Sequence, residues 1–162
     1  MKTLIQKLTQ ICGIEIRYSL WKVNVHDGED NSITLNIPTL LGILIPLQLI
    51  WGRPIKIGYS LAHELGHAFF DKFDVADMSR AHDLFGDFNQ EGFGTKGFVM
   101  SVLLPKEEGF ITKYARLHPD EDFADCFALL VLSDNKIPEE IKDRKILSKL
   151  RFIRKLIRES LR

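Results

Sequence analysis

Two histidines four residues apart, with a glutamate directly after the first, constrain this chain more than any other feature of its sequence. On an α-helix His63 and His67 lie one turn apart on the same face, so both imidazoles can bind one metal ion. Glu64 lies slightly off that face, where its carboxylate can act as general base toward a water on the metal. The pattern therefore predicts a helix that carries two metal ligands and a base for hydrolysis.

The residues around this motif favour a helix from Ile57 to Lys72. An apolar stripe runs at helical spacing beside the histidines and consists of Leu61, Ala62, Leu65, Ala68 and Phe69. Gly66 costs such a helix about 1 kcal/mol relative to alanine, so its presence predicts that another backbone approaches closely. Asp71 follows His67 by one turn and either accepts a hydrogen bond from that imidazole or is a solvated residue at the helix end. An ordinary amphipathic helix with surface or buried histidines is the alternative.

A hydrolytic zinc site needs three protein ligands, so a third donor must come from another part of the chain. The segment 118–130 is the best candidate, because Pro119 suits the first helical position and acidic residues suit the first turn. On that helix Glu121 would bind the metal, and Asp125, four residues later, would accept a hydrogen bond from a ligating histidine. Asp122 and Asp125 compete with Glu121 for the ligand role, but Asp122 lies about 100° around the helix from Glu121, so those two cannot both bind comfortably. The alternative to a metal site is a helix that merely starts with acidic residues.

Between these two segments the sequence carries weaker signals. Residues 75 to 90 predict a further helix or helical turn. We interpret His82, Asp83 and Asp87 as surface residues, because adjacent side chains at 82 and 83 splay apart on a helix. The glycines of segment 92–97 predict a flexible loop, and no Gly-Lys-Ser/Thr follows them as in a phosphate-binding loop.

The N-terminal part predicts a short helix followed by a small sheet. Apolar residues at helical spacing indicate a helix over residues 2–12 that ends at Gly13. Segments 14–20, 22–26 and 32–37 alternate with period two and predict strands with at least one hairpin. The third strand is either an ordinary half-buried strand or an edge strand whose free backbone groups can pair with an extended peptide.

Composition and the N-terminal sequence predict the class of protein and its cellular compartment. With 45 % hydrophobic and 27 % charged residues among 162, the chain has the composition of a soluble globular domain. The most apolar stretch, Ile37 to Trp51, contains two prolines and is shorter than the roughly 20 residues that span a bilayer, so we interpret it as buried or interfacial. The N-terminus lacks a secretory signature, and Cys12 and Cys126 cannot form a disulfide framework, so we expect a cytoplasmic protein.

Charge is unevenly distributed although the net charge is zero. Residues 1–141 carry 13 Lys and Arg against 20 Asp and Glu, whereas residues 142–162 carry 9 against 2. Apolar residues at helical spacing predict a basic amphipathic helix over residues 138–162. Such a helix can bind nucleic acid, anionic lipid or an acidic partner, or it can pack on the core with a solvated basic face.

Taken together, the motifs resemble those of the gluzincin metallopeptidases, in which His-Glu-x-x-His is followed by a glutamate ligand and an acidic residue four positions later. More narrowly, they are similar to a bacterial family of putative zinc-binding metallopeptidases over roughly residues 57–132. Three motifs occur in the family's order, namely His63 to Asp71, then Phe85-Gly86-Asp87, then Tyr114-Ala115 with His118-Pro119-x-Glu121-Asp122-Phe123-Ala124. The catalytic part of anthrax lethal factor is more distantly similar, with a tyrosine that precedes the ligand glutamate.

This resemblance implies a set of roles. It implies zinc as the cofactor, with His63, His67 and Glu121 as ligands, Glu64 as general base and Tyr114 as hydrogen-bond donor to the developing oxyanion. His118 is a second candidate for that donor. Asp125 stands where family members commonly have glutamate. Because its side chain is shorter, the contact that the family's glutamate makes does not transfer directly to Asp125. The family often carries a cysteine-rich zinc ribbon ahead of the peptidase, which is absent here, so its mode of substrate recruitment does not transfer.

We therefore expect an α+β, zincin-like single domain over residues 1–162. Its parts would be an N-terminal helix with a small, mostly antiparallel sheet (1–56), a catalytic core with an active-site helix and a ligand-bearing helix (57–132), and a basic C-terminal helix (138–162). The expected activity is that of a zinc endopeptidase acting on a protein or peptide. The alternatives are a regulatory metalloprotease of the type that cleaves phage repressors, and a non-catalytic binding module that acts through its basic helix.

Overall fold

The computed structural model describes residues 2–19, 25–36, 58–86 and 108–162. Within these ranges the elements are, in chain order, α1 (Lys2–Cys12), β1 (Glu15–Ser19), β2 (Val25–Asp27), β3 (Ser32–Asn36), α2 (Tyr59–Lys72), α3 (Ser79–Phe85), α4 (Pro119–Leu132) and α5 (Arg144–Ser160). Short 3₁₀ turns at Val75–Asp77 and Tyr114–Arg116 precede α3 and α4. The architecture is mixed α/β, mostly helical with a small three-stranded sheet. Among the helices in these ranges, none is both long and apolar enough to cross a bilayer.

Helix α1 ends where the sequence predicts. Gly13 follows it in the left-handed region, with φ of +69°, which glycine adopts without steric cost. The side-chain amide of Asn31 then donates to the carbonyl oxygens of Cys12 and Gly13. This contact ties the end of α1 to the turn before β3. Cys12 and Cys126 are both buried free thiols.

The sheet differs from the expected one in its pairing. Its strand order is β1-β3-β2, with β1 parallel to β3 and β2 antiparallel to β3. The hairpin between β2 and β3 is therefore confirmed, but the expectation of a mostly antiparallel sheet is wrong. Of the two alternatives for the third strand, the edge position is wrong, because β3 is central and its backbone groups pair on both sides. Within the described residues, β1 and β2 form the two edges.

Helices α2 and α4 form the centre of the fold, and Gly66 sets how closely they approach. A Cβ added at Gly66 would lie 2.9 Å from the Cα of Ala124 on α4, closer than van der Waals contact permits. The predicted crowding at this glycine is thus confirmed. Phe69 on α2 packs against Phe127 on α4 with ring centroids 5.1 Å apart, and both side chains are fully buried. The same two helices also bring His63 into contact with Glu121 and Asp125.

Helix α5 begins at residue 144 rather than at 138. Asp143 caps it by accepting hydrogen bonds from the backbone N–H groups of Lys145 and Ile146. The apolar stripe is buried and comprises Ile146, Leu150, Ile153 and Ile157. Most basic side chains of α5 are at least partly solvent-accessible, but Lys149 is only 5 % exposed. A core-packed helix with a solvated basic face therefore describes α5, with this one lysine as the exception.

Several predictions from the sequence lie outside the described residues. They concern the apolar stretch 37–51, Asp87 and the glycine-rich segment 92–97. Of the segment 75–90, predicted as a helix or helical turn, residues 75–86 are described and contain the 3₁₀ turn and α3. Asp83 on α3 is exposed and pairs with Arg80 at 3.6 Å, as expected of a surface residue.

Candidate metal centre

Helices α2 and α4 bring three potential ligand atoms to one point. The Nε2 atoms of His63 and His67 lie 3.2 Å apart. The Oε2 atom of Glu121 lies 3.0 Å from the former and 3.4 Å from the latter. The side chains of His63, His67 and Glu121 are 10 %, 18 % and 19 % exposed, respectively. They are therefore largely removed from solvent but still reachable from a cleft. These three residues form a group that could hold a metal ion.

The spacing of these atoms suits a zinc ion. Zinc–ligand bonds of about 2.0–2.1 Å at tetrahedral angles place neighbouring donor atoms roughly 3.3 Å apart. The three observed distances, 3.0, 3.2 and 3.4 Å, bracket that value. Two imidazole nitrogens and one carboxylate oxygen are also the donor set of a common type of catalytic zinc site. The residues therefore fit the metal that the sequence implies.

The hydrogen bond on the far side of His63 determines which of its nitrogens is free. Its Nδ1 lies 2.9 Å from Oδ1 of Asp125, a carboxylate that can only accept when ionised. Nδ1 therefore carries the proton, and in the neutral ring the lone pair of Nε2 points toward Glu121 and His67. A cation at this point would satisfy the three converging donor atoms together.

Asp125 is held by more donors than the sequence suggested. Its side chain is buried and accepts hydrogen bonds from the hydroxyls of Tyr59 and Thr112 as well as from His63. Tyr59 lies four residues before His63 on α2, so helical spacing could have identified it. Thr112 belongs to the segment before α4, and no local pattern marks it. The position expected of Asp125, beside a histidine of the metal group, is the one observed.

Ionic interactions shift the pKa values within the group. Burial alone would lower the pKa of His63 and raise that of Glu121, since it disfavours the charged forms. The hydrogen bonds that His63 makes with Asp125 and Glu121 outweigh this effect and raise the pKa of His63 well above its usual value. The imidazoles of His63 and His67 likewise hold the pKa of Glu121 well below its usual value.

Glu64 lies in the cleft beside the three ligand atoms. The cleft has a volume of about 370 Å³ and is lined by His26, His63, Glu64, His67, Phe70, Asp71, Tyr114, Asp120 and Glu121. Glu64 is only 8 % exposed, and its Oε2 accepts a hydrogen bond of 2.9 Å from the backbone N–H of His26. The carboxylate is therefore both sheltered and oriented. His26 comes from β2, and nothing in its local sequence pointed to the site.

Tyr114 and His118 lie at different places relative to the cleft. The hydroxyl of Tyr114 donates to Oε1 of Glu121 over 3.1 Å, and the ring lines the cleft. Burial raises the pKa of this phenol, and the negative charge of Glu121 raises it further, so the hydroxyl stays protonated. His118 is the N-cap of α4, and its Nδ1 contacts the side chain of Asp120. Its side chain is not part of the cleft lining formed by the described residues.

Two other acidic residues lie away from the three ligand atoms. Asp71 was expected either to accept a hydrogen bond from His67 or to be a solvated residue at the helix end, and its Oδ2 lies 3.4 Å from Nδ1 of His26. The side chain of Asp71 is 61 % exposed. Asp122 is buried and pairs with Lys149 on α5, because it lies about 100° around the helix from Glu121. Among Glu121, Asp122 and Asp125, the acids considered as ligands on α4, Glu121 is thus the one that faces the histidine pair directly.

Comparison with known proteins identifies one related family. The family model described as "Putative zinc-binding metallo-peptidase" matches residues 57–137, which is half of the chain. The match includes α2 and α4 and therefore all three potential ligands. Neither the curated proteins nor the solved structures contain a match, so a likeness to lethal factor is not shown.

Proposed function

The chain belongs to the family of putative zinc-binding metallopeptidases, and from that premise we propose that it is a zinc-dependent endopeptidase with a zincin-like catalytic domain. The observation that carries this proposal is the convergence of His63 Nε2, His67 Nε2 and Glu121 Oε2 within 3.0–3.4 Å of one another. Three donors beside an open cleft are typical of catalytic zinc sites, whereas a structural zinc site is closed by four protein ligands.

His63, His67 and Glu121 would hold the zinc ion. A zinc ion in such a site would act as a Lewis acid and would lower the pKa of a coordinated water to about 7. Asp125 keeps the Nδ1 proton on His63 and thereby directs the Nε2 lone pair into the site. Its partners Tyr59 and Thr112 restrict the carboxylate to that task.

Glu64 is the proposed general base. Its carboxylate accepts a proton from the water that attacks the peptide carbonyl and then delivers that proton to the leaving amine nitrogen. The support for this role is its place in the same cleft as the three ligands, together with its low exposure. A general base of this kind contributes roughly 10²- to 10⁴-fold to the rate.

Tyr114 is the proposed donor to the oxyanion of the tetrahedral intermediate. Its hydroxyl keeps its proton because burial and Glu121 raise its pKa, and it lies on the cleft wall. To act, it would exchange its hydrogen bond with Glu121 for one with the substrate oxygen. His118 is a weaker candidate, because its ring contacts Asp120 and caps α4.

The alternatives differ in what they require. A regulatory protease that cleaves a repressor would use the same residues and would differ only in its substrate. A non-catalytic module acting through the exposed basic residues of α5 would not require Glu64 in the cleft. Binding of an anionic partner by α5 remains compatible with peptidase activity.

The test is metal analysis combined with cleavage profiling on a proteome-derived peptide library. Wild type, Glu64→Gln and Glu139→Gln would each be loaded with zinc, the last being a matched control at an exposed residue outside the cleft. We expect about one zinc per chain in all three, with cleavage by wild type and Glu139→Gln and a loss of at least about 100-fold in Glu64→Gln. Equal cleavage patterns in wild type and Glu64→Gln, at equal zinc content, would refute the proposal.

A further inference from the structure

The backbone of β2 makes direct contact with the proposed base. The amide N–H of His26 donates to Oε2 of Glu64 over 2.9 Å. His26 lies opposite Ile33 in the antiparallel pairing of β2 with β3. In such a pairing, the amides of one strand point alternately toward and away from its partner. The amide of His26 therefore belongs to the set that points away from β3, and it is directed at α2.

The imidazole of His26 makes a second contact with the same helix. Its Nδ1 lies 3.4 Å from Oδ2 of Asp71, and the side chain is only 6 % exposed. Burial lowers the pKa of this imidazole, and the charge of the nearby Asp71 carboxylate opposes that shift. Glu64 and Asp71 are seven residues apart, which places them on one face of α2 two turns from each other. Residue 26 thus bridges two points on that face.

The contact with the His26 amide orients the carboxylate of Glu64, and a general base needs such orientation. Its side chain has several rotatable bonds, and a catalytic group must be held close to its productive geometry to be effective. A hydrogen bond from an N–H to a carboxylate is roughly twice as strong as one between neutral groups. The Oε2 atom is occupied by the amide, so the other oxygen remains for proton transfer.

We propose that His26 is a positioning residue for Glu64, with its backbone amide orienting the base and its buried imidazole, packed beside Asp71, keeping β2 in place. The proposal rests on the proposed peptidase function. The contact between the His26 amide and Glu64 also restricts substrate binding, because a substrate peptide can accept a hydrogen bond from this amide only if Glu64 releases it. While Glu64 is held in place, substrate therefore binds without a hydrogen bond from the His26 amide.

Two substitutions at position 26 separate the backbone from the side chain. His26→Pro removes the amide donor, and proline is tolerated in edge strands where the N–H points away from the ladder. His26→Ala removes the imidazole but keeps the amide. For a library peptide cleaved by the wild type, we expect His26→Pro to lower kcat at least about tenfold with KM within about threefold, and His26→Ala to lower kcat by about threefold or less.

The same substitutions in the Glu64→Gln background distinguish positioning from a general structural effect. A positioning role predicts no further loss of the residual rate when His26→Pro is added, because no base remains to be oriented. Equal losses in His26→Pro and His26→Ala would overturn the proposal, as would a further loss in the Glu64→Gln background or a fall in zinc content.

Hydrogen exchange tests the contact without any activity assay. The amide of residue 26 should exchange at least about tenfold more slowly in the zinc-loaded wild type than in zinc-loaded Glu64→Ala. Equal exchange would overturn the proposal even if His26→Pro does not fold. If this amide is protected but Glu64→Gln cleaves peptides as the wild type does, the peptidase mechanism fails while the contact stands.

Discussion

Replacing Lys149 by methionine should destabilise the protein strongly, because it would leave a buried carboxylate without its cation. The side chains of Lys149 and Asp122 are 6 % and 1 % exposed and form an ion pair between α5 and α4. The Nζ of Lys149 also donates to the carbonyl of Gly109 over 2.8 Å and lies 4.5 Å from the ring centre of Phe110. After the substitution, the side-chain contact that remains for Asp122 among the described residues is the weak one from the Cys126 thiol, at 3.7 Å.

The expected magnitude follows from this burial. Removing one partner of a buried ion pair costs roughly 3–5 kcal/mol of unfolding free energy. For a chain of this length that corresponds to a fall in Tm of roughly 6–20 °C. Lys155→Met on the same helix is the matched control, since that side chain is 74 % exposed and its pairing with Glu159 at 3.9 Å is worth about 0.5 kcal/mol or less.

The loss should also depend on pH. Burial raises the pKa of Asp122 from 3.8 to about 6 even beside Lys149. Ionising this group in the fold therefore costs free energy, and its contribution to stability falls as pH rises from about 4 through about 6. Without the lysine the pKa of Asp122 rises further, so the difference between wild type and Lys149→Met should grow from pH 5 to pH 8.

Urea unfolding followed by circular dichroism, at one zinc concentration and at both pH values, would measure these differences. Adding Asp122→Asn to Lys149→Met removes the orphaned charge and should recover roughly 2 kcal/mol at pH 8. The reasoning is refuted if Lys149→Met loses no more than Lys155→Met at pH 8, or if its deficit does not change with pH.

Three further predictions concern α2, α4 and α5. Asp125→Ala should weaken zinc binding by roughly 10- to 100-fold, because it removes the hydrogen bond that orients His63, whereas Asp125→Asn should weaken it less. Competition with a zinc-binding dye measures both affinities. An unchanged zinc affinity in Asp125→Ala contradicts the proposed orienting role of Asp125. Gly66→Ala should lower the unfolding free energy by roughly 1–3 kcal/mol despite better helix propensity, since its Cβ would lie 2.9 Å from Ala124; a stabilised variant contradicts the close crossing. Asp143→Ala should cost about 1 kcal/mol in urea unfolding at pH 7 by removing the cap of α5, with Asp143→Asn nearly unchanged. Burial alone would raise the pKa of Asp143, but backbone N–H groups hold it below its usual value, so the part of this contribution that depends on its charge should shrink as pH falls below about 4 and through that lowered pKa; a loss that grows as the pH falls contradicts it.

Local spacing was enough to predict the helices that carry the site. Each of these signals lies within one element. They are the histidines four residues apart on α2, the proline at the start of α4 and the apolar stripe of α5. Gly66 was informative for the same reason, since a glycine inside a helix is costly unless a neighbour requires it. These signals depend on residues within a few positions of each other, and such residues interact in much the same way whatever the rest of the chain does.

Spacing could not predict which elements meet. A period-two pattern is the same in parallel and antiparallel strands, so the parallel pairing of β1 with β3 was missed. The contact of Thr112 with Asp125 and that of His26 with Glu64 join residues 13 and 38 positions apart, and neither has a local signature.

The sequence by itself determined which reactive groups are present: two imidazoles and two carboxylates on α2, and four acids on α4. The tertiary structure decided how those acids are used. Because α2 crosses α4 closely at Gly66, Glu121 reaches the histidine pair and Asp125 reaches the far side of His63. Because α5 packs on another face of α4, Asp122 meets Lys149 instead. The physical reason is that helical periodicity sets the angle between side chains on one helix, whereas packing between helices sets what each side chain faces.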